Sequence, residues 1–147
     1  MFAKLPLSLI VLVAVAGFFG TCAWAADIVD TRIQAFKSTK ASVGRIDDAL
    51  SDQRLDQVAE ESRKLADFAA TIPALFPEGS GEGWRTKAND NIWKNSADFQ
   101  TKANDFQQAA EALANAAGAG DLEAAKTKFE GLRDTCKACH SRYKGFL

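Results

Sequence analysis

Cys136-Lys137-Ala138-Cys139-His140 sets two thiols three residues apart, with an imidazole directly after the second. On a helix these positions lie along one stripe, so two sulfurs and one nitrogen share a face. C-x-x-C-H is the spacing of covalent haem attachment. The thiols meet the two vinyl groups, and His140 rises under the iron as an axial ligand. One haem c per chain is therefore the expected cofactor.

Three other readings of the run compete. Zinc needs four ligands, and apart from Cys22 near the N-terminus no further Cys or His exists, so a carboxylate would have to complete the set. A thioredoxin-like pair belongs at the start of a helix within a strand-helix-strand unit, which this sequence lacks. A plain disulfide accounts for the cysteines but not for the neighbouring histidine.

The other side of the iron is marked by what is missing. Met1 is the one methionine and His140 the one histidine in the sequence, so neither His/Met nor His/His coordination is available within a mature chain. The sixth position is then empty, held by water, or taken by an unusual ligand such as a lysine amine. The expectation is a five-coordinate, high-spin iron, open in the ferrous state to small diatomic gases.

The chemistry of attachment takes place outside the cytoplasm, and the N-terminus agrees. Lys4, an apolar run from Leu5 to Gly20 and the small-x-small triplet Ala23-Trp24-Ala25 read as an export signal over residues 1–25. Cleavage would leave residues 26–147 as one domain and place it in the periplasm. The run is short for a permanent anchor and has no basic stop-transfer flank; Phe19-Gly20-Thr21 before Cys22 is a poor context for a lipoprotein site. Loss of Lys4 leaves 17 of the 18 basic residues against 19 acidic ones, a net charge of −2. That balance gives no reason to expect nucleic acid or an anionic membrane surface as a partner.

Four segments must position the haem residues, and each carries apolar residues at helical spacing. The first runs from Asp27 to Leu50 with Ile28, Ala35, Phe36, Val43, Ile46 and Leu50. The second has Leu55, Val58, Ser62, Leu65, Ala69 and Ile72, and stops at Pro73. The third steps from Ile92 through Ser96, Phe99, Ala103, Phe106 and Ala110 to Leu113, and ends at Gly118-Ala119-Gly120. The fourth, capped by Asp121, has Leu122, Ala125, Phe129, Leu132, Cys136, Cys139 and Tyr143. Short breaks after the first and third favour antiparallel neighbours, while Pro73 to Trp84 is long enough to cross one end. The expected fold is all-α, an antiparallel up-and-down four-helix bundle.

CKACHSRYK at the C-terminus, Asn91-Ile92-Trp93 followed by Ala97-Asp98-Phe99, Leu75-Phe76-Pro77-Glu78-Gly79, and Ala119-Gly120-Asp121-Leu122 together resemble cytochrome c′, the class II c-type cytochromes. The resemblance covers nearly the whole chain after the signal. It implies that a first-helix arginine, here Arg32, reaches a haem propionate, and that the residue four later, here Phe36, covers the distal face. Phenylalanine cannot coordinate iron, so it crowds that face and favours nitric oxide and carbon monoxide over dioxygen. The resemblance also places an arginine four residues after the proximal histidine, where this chain has Lys144, a point charge rather than a planar fork.

The resemblance thus implies an electron-carrying, gas-binding haem protein rather than an enzyme, with an unidentified periplasmic redox partner. It also implies a homodimer through the first two helices, for which Ile28, Val43, Leu55 and Val58 are available. The alternatives are a low-activity haem peroxidase, for which no second histidine supplies a distal acid-base pair, a six-coordinate electron carrier, and an interaction module in which the haem only staples the fold.

Overall fold

Residues 20–145 are described by a computed structural model, with side chains from residue 27 onward. The first helix, α1, spans Gly20–Ser51; it begins ahead of the expected start at Asp27. Residues 1–19 of the expected signal lie outside the described residues. Among those described, no helix is long and apolar enough to cross a membrane.

The later part of α1 buries Ile46, Ala49 and Leu50. In its earlier part the inward line runs through Val29 and Arg32, leaving Ile28, Ala35 and Phe36 half-buried. Asp52-Gln53-Arg54 turns the chain, with Gln53 in the left-handed region at φ 58°. α2, Leu55–Thr71, follows its expected stripe closely: Val58, Ser62, Leu65 and Ala69 are buried. Ser62 is tolerated there because its hydroxyl donates to the Val58 carbonyl at 2.7 Å. Pro73, which has no N–H to donate, sits in a 3-10 turn over Ile72–Leu75 that closes the helix.

The third periodic segment is two helices rather than one: α3, Asn91–Lys94, and α4, Ser96–Gly118. Asn95 breaks between them at φ −131°, ψ 47°, and Ser96 is exposed instead of core. Gly120 at φ 75° completes the turn into α5, Leu122–Tyr143. Asp121 caps α5 by accepting from the Ala124 N–H at 2.9 Å.

The long helices α1, α2, α4 and α5 form the expected four-helix bundle. α2 packs on α4, α4 on α5 and α1 on α2, while α1 and α5 scarcely touch. Ile46, Val58, Leu65, Leu113 and Leu132 fill the centre, each contributing about 1.5–3 kcal/mol by burial.

One buried charge ties α1 to α2. Glu61 accepts from the Arg45 guanidinium at 2.7 Å and from Lys64 at 3.0 Å, beside Ser42. The Arg45 hydrogen bond outweighs burial and holds the Glu61 carboxyl at about 2. A carboxyl depressed in the folded state contributes stability above its ordinary value near 4.5 and loses it as pH falls toward 2. Glu61→Gln is therefore expected to cost about 1–3 kcal/mol at neutral pH, with the gap to wild type closing between those limits. Urea unfolding of both proteins at pH 7 and in acid checks this, and a gap that stays constant counts against it.

Candidate functional site

The C-terminal stripe of α5 turns Cys136 and Cys139 toward the core. Both are free thiols, half-buried and packed against the buried cluster. Burial pushes both thiols up; for Cys139, burial and then the neighbouring Cys136 raise it to about 11. The pair also lies in the last two turns of its helix rather than at the start of one, where a thioredoxin-like pair belongs. Among the described residues no three His, Cys, Asp or Glu side chains converge as a metal-binding group.

His140 follows on the exposed side of the stripe. Its pKa is lowered, first by loss of solvation and then by the Lys144 charge, so the neutral imidazole that can ligate iron is the favoured form. Lys144 itself leaves the helix, its N–H bonding the His140 carbonyl at 3.2 Å, and its backbone pairs with Ala88. The segment crossing between α2 and α3 is thereby stitched to the end of α5. Gly145 N–H to Lys87 O at 2.7 Å, Asn89 N–H to Tyr143 O at 3.1 Å and the Asn89 amide to Arg142 O at 3.0 Å complete the seam.

Tyr143, one turn beyond Cys139, is buried and donates a short hydrogen bond to Asp98 on α4, which also lies 3.3 Å from Arg142. Burial, then the Asp98 hydrogen bond, raise Tyr143 to about 12. The hydroxyl therefore remains a donor across the neutral range and fixes the last turn of α5 against α4.

Phe36 and Arg32 share a face of α1, as their spacing requires, but their surroundings differ. Phe36 opens a row of edge-to-face rings: Phe36 to Phe76 at 6.2 Å, Phe76 to Phe99 at 5.1 Å, Phe99 to Tyr143 at 5.1 Å. The row runs from α1 through the crossing segment and α4 to α5. It ends at Tyr143, one turn beyond Cys139 on the helix that carries both cysteines. Phe68 of α2 also meets Phe36 edge to face, at 5.1 Å and an interplanar angle of 89°.

Arg32 is 3% exposed and is held by the crossing segment. Nη1 donates to Ser80 Oγ at 2.9 Å and Leu75 O at 3.4 Å, and Nη2 to Ser80 O at 2.6 Å and to Thr86 Oγ1. The guanidinium also lies 4.7 Å from the Phe76 ring centroid. Of its five N–H donors, these four contacts leave Nε–H for any further partner. Arg32 is thus neither a solvated charge nor a wholly free one.

Phe68, Phe76, Ser80, Thr86 and Trp93 escaped sequence reasoning as site residues. Trp93 Nε1 donates to Phe76 O at 3.0 Å and Pro77 O at 3.2 Å, and its ring presses so close to Gly81 that a Cβ there would fall 2.5 Å away. One signal was available: Phe68 lies off the Val58-Ser62-Leu65-Ala69 stripe, an aromatic without a place in the core of its own helix.

Comparison with known proteins agrees with this geometry. A family model described as Cytochrome C′ matches residues 27–144. The chain is 39% identical over 89 residues to a cytochrome c′ of Rhodospirillum rubrum, a match covering 60% of each protein. It superposes on the nitric oxide complex of a mutant cytochrome c′ from Alcaligenes xylosoxidans at TM-score 0.74 with 29% identity, covering 84% of this chain and 97% of that one. A cytochrome c′ with an unusual ligand-controlled dimer dissociation gives TM-score 0.78 with 26% identity, covering 89% and 100%.

Proposed function

The chain belongs to the cytochrome c′ family, and on that premise we propose that it is an exported haem protein that carries an electron and binds nitric oxide or carbon monoxide at an open iron face. The family carries covalently attached haem c. When bound, that group supplies a one-electron couple and an axial site for a gas. The residues fit it: two half-buried thiols on one stripe, an adjacent imidazole kept neutral, and a floor of aromatic rings suited to a flat macrocycle.

In this reading Cys136 and Cys139 hold the group, His140 takes the proximal position, and Lys144 puts a positive charge beside His140. Phe36 covers the opposite face. Arg32 keeps the crossing segment in place and has one N–H left for a propionate. The carrying observation is that His140 and Met1 are the chain's single histidine and methionine while Phe36, walled by Phe68 and Phe76, offers only hydrocarbon to a ligand. Such a pocket favours nitric oxide and carbon monoxide over dioxygen, whose bound form draws more on polar stabilisation. It also gives peroxide cleavage no acid-base pair, so we assign no enzymatic activity.

Residues 1–25 act as the signal in this proposal, and the protein works in the periplasm with a redox partner there. A homodimer through α1 and α2 is the proposed assembly. Half-buried Ile28, Val43 and Leu55 suit it, whereas Val58 is fully buried in its own core.

The test is the visible and spin-state spectrum of the exported protein, ferric and dithionite-reduced, with and without carbon monoxide and nitric oxide. High-spin spectra that shift with both gases are expected. A low-spin spectrum indifferent to gas would mean a sixth protein ligand and defeat the proposal.

A further inference from the structure

Phe36 meets two rings that are not equally fixed. Phe76 is clamped: the Arg32 guanidinium lies 4.7 Å from its centroid, Phe99 meets it at 5.1 Å, and its carbonyl receives the Trp93 indole N–H at 3.0 Å. Phe68, at 5.1 Å from Phe36, is half-buried near the end of α2, on a position that its neighbours Leu65 and Ala69 leave outside the core stripe. Its one aromatic contact is with Phe36, among the described residues.

We propose that Phe68 is a positioning residue that sets how readily Phe36 yields to an incoming gas. The inference rests on the reading of Phe36 as the distal cover. Phe76 is held by three partners, so Phe68 is the contact of Phe36 that can give way, and the edge-to-face pair between α1 and α2 holds the cover shut. Ligand entry requires that pair to separate. Phe68 thus governs the rate of access without touching the ligand.

Removing an edge-to-face partner releases an interaction whose usual strength corresponds to about three- to tenfold in a rate. Phe68→Ala is expected to raise the carbon monoxide association rate of the reduced holoprotein by that factor. Phe68→Tyr, which keeps the ring edge, should bind at the wild-type rate. In a Phe36→Ala background the Phe68→Ala change should add nothing, because the ring through which it acts is gone. A crystal structure of ferric Phe68→Ala should show Phe36 turned into the vacated space, and Phe68→Leu serves if the alanine variant folds poorly.

If Phe36→Ala speeds binding but Phe68→Ala does not, or if Phe68→Ala acts equally with and without Phe36, the role of Phe68 is overturned while the distal reading stands. If Phe36→Ala is itself without effect, the distal reading fails and this inference falls with it.

Discussion

Replacing Arg32 by methionine is expected to destabilise the protein by about 2–4 kcal/mol and to loosen the crossing segment between α2 and α3. A buried guanidinium is costly, and its pKa is lowered by that burial. Exchanging a whole polar set for apolar residues can be neutral. Removing one side of it is different: Ser80 O, Ser80 Oγ and Leu75 O lose their donor together, while Thr86 Oγ1 keeps the Ala88 N–H at 3.1 Å. The Phe76 ring also loses the cation above it.

Lysine should recover less than half of the loss, because one ammonium cannot reproduce a fork that spans Ser80 and Thr86. Urea unfolding measures the first effect, and limited proteolysis between Pro77 and Asp90 the second. A loss under about 0.5 kcal/mol with the segment as protected as in wild type would show that Arg32 is not the tie.

The bundle was legible because each helix repeats apolar residues at a spacing that only one secondary structure satisfies. Val58, Ser62, Leu65 and Ala69 are buried as their step requires, and Asp121 caps α5 as its position suggests. The break at Asn95 was not legible, since Ile92, Ser96 and Phe99 keep the same step across it. Distant bonds decide it: the Asn91 amide donates to Arg142 O at 3.3 Å and Trp93 to the Phe76 carbonyl at 3.0 Å. Together they fix α3 to the end of α5 and to the segment after α2, so that α4 starts afresh at Ser96.

The same distinction runs through the site. C-x-x-C-H is a local pattern, so it draws attention to Cys136, Cys139 and His140 without any knowledge of the fold. Arg32 was pointed to by the family resemblance alone, and the groups that hold it lie more than forty residues away. Phe76 and Phe99 belong to segments that carried the family resemblance, but their meeting edge to edge needed the fold.

Replacing both Cys136 and Cys139 by serine is expected to abolish covalent haem entirely. The intact mass of the denatured exported wild type should exceed that of the polypeptide by one haem, and the double variant should show the polypeptide alone. Either single variant should keep the group through its remaining thiol. The two sulfurs lie three apart on α5, half-buried and protonated, with Cys139 raised to about 11.

The consequence for stability follows from mass action. A covalently held group stabilises the fold at any dilution, whereas one held only by His140 and the aromatic floor stabilises in proportion to its free concentration, about 2.7 kcal/mol at one hundred times its Kd and nothing when dilute. The Tm of the double variant should therefore rise with added haem, while that of wild type does not. Haem found on the denatured double variant, or a wild type whose mass shows none, would remove Cys136 and Cys139 from the site. With them would go the proposed roles of His140 and Phe36 at that group.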